Sequence, residues 1–111
     1  MHWKDEVYSV LRTIPNATAC FNYPAEWPKG TVITYAGLDD TPGTNADDDE
    51  YTTDITVKVD VWDFNPVTVK DIVEQVKQKM KSVGFVRTFC YDMFETSSRL
   101  HHTTMRYRRN Q

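Results

Sequence analysis

The residues that most constrain this fold run from Tyr51 to Asp63. Thr53, Ile55, Val57, Val59 and Val61 alternate strictly with Thr52, Asp54, Thr56, Lys58 and Asp60. Side chains leave a β-strand on opposite faces in turn, so this period of two predicts one long strand with an apolar and a polar face. At about 3.3 Å per residue it would extend about 40 Å. Such a strand belongs inside a sheet whose apolar face is covered by helices. Its polar face is then either wet or covered by something outside the chain. Trp62 interrupts the polar face and Phe64 continues it. With Tyr23 and Trp27, these aromatics either pack the end of the sheet or anchor a subunit contact, where Trp and Tyr concentrate.

The helices that cover the apolar face are equally plain. Trp3, Val7, Val10, Leu11 and Ile14 recur at helical spacing, predicting a first helix over His2–Thr13 that Pro15 ends. Val69, Ile72, Val73, Val76, Met80 and Val83 form a second stripe, predicting a helix over Val67–Val83. Thr68 followed by Asp71 suits a capping box at its start, and Gly84 suits a left-handed residue at its end. Shorter strands are expected over Thr18–Tyr23 and Thr31–Leu38, separated by the turn-rich crossing Tyr23–Gly30.

The last quarter reads as two long strands joined by Glu95-Thr96-Ser97-Ser98. Phe85, Phe89, Tyr91 and Met93 on one strand, with Met105 and Tyr107 on the other, are expected to complete the apolar face. Arg106 and Arg108 alternate with Met105 and Tyr107 and are expected to be exposed. The fold class is therefore α+β. It comprises a mainly antiparallel sheet of four to five strands with two helices on one face, in the order α-β-β-β-α-β-β, within a single domain over residues 1–111.

Between the second and third strands lies Asp39–Glu50, in which six of twelve residues are acidic. Charges packed that closely repel, which predicts an exposed, mobile loop. Base collects instead at the C-terminal end, in Arg99, Arg106, Arg108 and Arg109. Separated charge of this kind suits self-association, one copy's acidic edge facing another's basic edge. The candidate interface residues are Asp47, Asp48, Asp49, Glu50, Asp54, Lys58, Trp62, Arg99, Arg106 and Arg108.

Catalytic chemistry finds no support. His101 and His102 are adjacent on a strand, so they face opposite ways and cannot share one metal ion. The run Asp47–Glu50 lacks the alternating oxygen ligands and central glycine of a calcium loop. Asp54 and Asp60 share a strand face but stand about 20 Å apart, too far for paired carboxylate work. No phosphate loop, nucleophile elbow or zinc-helix motif occurs. Cys20 and Cys90 are isolated and read as reduced thiols. The net charge of −3 argues against a general nucleic-acid binder. No apolar run approaches the about 20 residues of a membrane span, and no secretory signal is visible. The chain reads as a non-enzyme with no cofactor and no metal.

The chain also resembles a known family, the tail terminator (tail-completion) proteins of long-tailed bacteriophages. The resemblance runs through the N-terminal helix, Tyr23-Pro24, Thr31-Val32-Ile33-Thr34-Tyr35 and the acidic loop. It continues through Asp54–Trp62, a helix ending at Val83-Gly84-Phe85, Arg87-Thr88-Phe89-Cys90-Tyr91-Asp92, and Leu100–Tyr107. It implies a structural virion protein: a hexameric ring that caps the tail tube and joins it to the head-side connector. The implied partners are further copies of the chain, the tail tube protein and the head-completion protein. DNA would pass through the ring without specific binding, and no membrane is involved. The implied location is the neck of the virion, assembled in the host cytoplasm. The acidic loop is richer in acid than the family pattern. It is expected to become ordered in the assembled neck, against a neighbour or lining the channel. The alternatives are another neck or tail-tube protein, or a small ferredoxin-like binding module, with RNA as one candidate ligand. An RNA binder would need aromatic and basic residues together on the open sheet face.

Overall fold

The computed structural model describes residues 2–24, 30–38 and 54–110. The alternating segment is realised as β3 (Asp54–Asp63), the middle strand of a five-stranded sheet. It pairs antiparallel with β2 (Thr31–Gly37) on one side and β5 (Leu100–Asn110) on the other. Outside β2 lies β1 (Ala17–Phe21), in parallel, and outside β5 lies β4 (Val86–Glu95), antiparallel. Helices α1 (Trp3–Leu11) and α2 (Pro66–Ser82) complete the expected order of elements. Residues 39–53, with the acidic loop, and residues 25–29, with Trp27, fall outside the described residues.

The core lies between the helices and one face of the sheet. Val57, Val59 and Val61 of β3 are fully buried there, beside Ile33 and Tyr35 of β2 and Met105 and Tyr107 of β5. Val7 and Leu11 of α1 and Val69, Ile72, Val73, Val76 and Met80 of α2 close over them. Each such side chain contributes roughly 1.5–3 kcal/mol on leaving water, so the two stripes dictate which way each helix faces. Burial also pushes the Tyr107 phenol far above its usual range. The Trp3 indole of α1 lies against Gly37 of β2. A Cβ there would lie 2.9 Å from Cζ2 of Trp3, so only glycine admits the indole.

The ends of α2 show one departure from expectation. Asn65, not Thr68, caps the helix: its Oδ1 accepts from the Val67 N–H at 2.9 Å, and Pro66 takes the first helical position. Asparagine ranks above threonine as a cap, and proline costs nothing where no N–H is needed, so the helix begins at Pro66, one residue before the expected Val67. At the far end Gly84 has φ +87°, and the Gly84 and Phe85 N–H groups return to the Lys81 and Met80 carbonyls.

The second departure concerns β4. Phe85 is buried and Met105 and Tyr107 are core residues, as expected, but Phe89, Tyr91 and Met93 stand on the opposite face and are exposed. A β-bulge is the cause. Arg87 pairs with Tyr107 while Phe89 pairs with Arg106, leaving Thr88 as an extra residue. One inserted residue reverses the parity of the alternation, so every side chain from Phe89 onward changes face.

Candidate assembly surface

The sheet face turned away from the helices is not uniformly wet. At one end Thr34, Asp60, Trp62, His102 and Thr104 are buried beside one another. Strand register explains the grouping: Trp62 lies opposite Val32 and His102, and Asp60 opposite Thr34 and Thr104. The Trp62 indole stacks on the His102 imidazole with centroids 3.6 Å apart and planes 10° from parallel. Its Nε1–H donates to Thr34 Oγ1 at 3.1 Å. Asp60 bonds His102 Nε2 at 3.0 Å through one oxygen and meets Lys58 Nζ at 3.3 Å through the other. Burial by itself would raise the Asp60 carboxyl. Hydrogen bonds from His102 and Thr104, with the Lys58 ammonium, outweigh it and hold the group below the usual carboxylate range. A His–Asp pair of this kind can orient a proton acceptor. Here the imidazole is 6 % exposed and lies under an indole.

The candidate interface residues therefore divide. Trp62 is 4 % exposed and carries Tyr23 against it at 5.7 Å, so in this conformation it offers little surface to a partner. Lys58 is half-buried against Asp60. Asp54 is exposed and holds Arg108 at 2.8 Å and the Asn110 amide at 2.7 Å. Arg106 is exposed and lies over the Phe89 ring at 5.1 Å. Arg99 sits in the β4–β5 turn at φ +63°, its N–H bonded to the Glu95 carbonyl. Asp47, Asp48, Asp49 and Glu50 lie outside the described residues. Arg109 has a different task from its neighbours. It reaches Glu6 at 2.7 Å and the Val83 carbonyl at 2.9 Å, tying β5 to both helices.

The surface that sequence reasoning misplaced is β4. All ten of its residues are exposed, and among the described residues no strand pairs with its outer edge. Val86, Phe89, Tyr91 and Met93 are apolar on the open face, and Phe94 on the other, against His101 at 4.7 Å. Their alternation was visible in the sequence; the bulge that assigns them a face was not. On the helix side, β4 stands clear of α2 and leaves a groove of about 390 Å³ lined by Val69, Val73, Glu74, Asp92 and His101. Thr103 donates to Asp92 within that groove at 2.8 Å. Cys20 and Cys90 are free thiols, and among the described residues no three acidic, histidine or cysteine side chains gather as a metal site. Among the described residues no helix is long and apolar enough to cross a membrane. No protein-family model matches the chain, and no curated protein is similar to it at a significant level.

Proposed function

We propose that this protein is a structural assembly protein, a tail terminator whose copies form a hexameric ring on the end of a phage tail tube and join it to the head-side connector. The single observation that supports an assembly role best is β4, a ten-residue strand exposed throughout, with Val86, Phe89, Tyr91, Met93 and Phe94 open to solvent. An unpaired strand edge that carries exposed apolar side chains invites pairing with other chains. The tail-specific part of the reading rests on the sequence resemblance. In this reading the paired charges Asp54 and Arg108 and the exposed Arg106 lie on the docking side, and the channel passes DNA without binding it. Purified protein added to uncapped tail tubes should form one closed six-copy ring at the tube end, visible in electron micrographs. A single bound copy, an open filament or no binding would refute the reading.

A second reading is favoured by a specific observation. Phe89 and Tyr91 lie together on the open face with centroids 6.4 Å apart, and Arg106 covers Phe89. Aromatic rings with basic side chains on an open sheet face suit the stacking of single-stranded bases. Asp54 and Asp60 neutralise Arg108 and Lys58 on the same face, which ranks this reading second. Salt-dependent binding of a short single-stranded RNA, abolished by Tyr91→Ala, would put it first.

A further inference from the structure

The open face of the sheet carries a column of apolar side chains that the chain's own helices do not cover. Val86, Phe89, Tyr91 and Met93 emerge on that face, because they pair with Arg108, Arg106, Thr104 and His102 of β5. The bulge that leaves Thr88 unpaired is what turns the last three outward. The four are 66, 43, 57 and 38 % exposed. Large aromatic side chains carry about 150–250 Å² each, so the column leaves roughly 400 Å² open. Tyr23, Arg106, Arg108 and Glu95, exposed elsewhere on the face, extend it towards the about 800 Å² per partner of a stable interface.

Charge lies at opposite ends of the column. Arg106 covers Phe89, and among the described residues no carboxylate pairs with it. Glu95 follows Met93 on the same face. It accepts from the Ser98 hydroxyl and, among the described residues, pairs with no cation. A second copy laid face to face on the first, its strands running the other way, satisfies both groups. A two-fold axis between the sheets, crossing the strands at Tyr91, sets Tyr91 over its counterpart and Met93 over Phe89 of the other copy, twice. The same rotation carries each Glu95 to the Val86 end of the other column, beside Arg106 and Arg108. Lys58 with Asp60 and Arg108 with Asp54 enter already paired, so the contact buries no charge alone. Sheets packed in this way lie about 10 Å apart, a gap that aromatic side chains fill.

We propose that the free protein is a two-fold dimer in which the open sheet faces of two copies pack together, with Tyr91 on the axis. A two-fold contact uses the same patch on both copies, and this patch is complementary to itself in shape of column and in charge. The proposal stands on the open face and goes beyond the tail-end reading.

Light scattering of the purified chain at high micromolar concentration should give twice the 12.9 kDa of one chain. Tyr91→Glu sets two carboxylates across the axis. It should raise the dimer dissociation constant by about tenfold or more with an unchanged circular dichroism spectrum. Arg106→Glu and Glu95→Arg should each weaken the dimer, and the two together should restore it, because the exchanged charges meet again across the interface. In a Cys20→Ser, Cys90→Ser background, a short bifunctional maleimide should join Tyr91→Cys to its counterpart. Phe94→Cys, on the helix side of the same strand, should not be joined. Wild-type monomers, no rescue by the charge exchange, or cross-linking at position 94 in place of 91 would each overturn the proposal. Monomers that bind single-stranded RNA through Tyr91 would also overturn it and give the face to the nucleic-acid reading.

Discussion

At the scale of residues, the buried polar cluster on the open face gives the sharpest expectations. Trp62 contributes a stacking surface for His102 and one hydrogen bond to Thr34. Trp62→Ala should cost about 3–5 kcal/mol, as large-to-small changes at buried aromatics do. Trp62→Phe keeps much of the stack and should cost about 1 kcal/mol for the lost bond. Urea unfolding midpoints separate the two, and equal losses would deny the stack its part. Asp60 makes stability depend on acidity. Its folded-state carboxyl titrates below the unfolded value near 3.8. A group depressed in this way stabilises the fold above its unfolded value, and that contribution disappears as pH falls through the folded value. Wild type should therefore exceed Asp60→Asn in stability by about 1–3 kcal/mol near neutrality. The gap should close below about pH 4. A gap that is constant with pH would show that the charge of Asp60 is not what matters. Trp62 standing at the end of a polar face is an oddity legible in the sequence. Its partners were not, since Thr34 and His102 lie 28 and more residues away and meet it only through strand register.

At the scale of elements, most of the pattern was legible. The two helical stripes and the alternation of β3 each carry a period, and a period survives whatever the rest of the chain does. The start of α2 was misjudged because two caps compete within four residues, and local chemistry favours Asn65 with Pro66. Asn65→Ala should therefore destabilise the protein by about 1 kcal/mol, while Thr68→Ala should change little. Thermal melting of the two variants decides between the caps, and the reverse ranking would restore Thr68. The bulge in β4 was not legible at all. Nothing about Arg87, Thr88 or Phe89 marks an extra residue. Whether one is accommodated depends on the pairing of Arg87 with Tyr107 and of Phe89 with Arg106. That single residue moves Phe89, Tyr91 and Met93 from the expected core to the surface.

At the scale of the whole molecule, the sheet is covered on one face and self-packed at one end of the other, and it ends in an apolar edge. The exposed charges contribute little to folding. The Asp54–Arg108 pair is exposed on both sides and contributes little to stability. Arg106→Glu with Arg108→Glu should accordingly leave the melting temperature within a few degrees of wild type. In the tail-end reading the same double variant should block ring formation or docking and depress the titre of viable phage. Normal titre would remove these arginines from the docking surface. Arg109 is the internal control. It joins Glu6, the Val83 carbonyl and the Phe85 ring, so Arg109→Ala should lower stability where the other two arginines do not.

The amino-acid order alone determined the number and sequence of elements, the helix faces, the polarity of the central strand and the exposure of Arg106 and Arg108. Each of these depends on periodicity or on neighbours within a few residues. Tertiary structure alone decided the parallel pairing of β1 with β2, the stacking of Trp62 on His102, the anchoring task of Arg109 and the face on which Phe89, Tyr91 and Met93 emerge. Those depend on register between strands distant in sequence, where shifting or inserting one residue exchanges inside for outside while leaving every local preference unchanged.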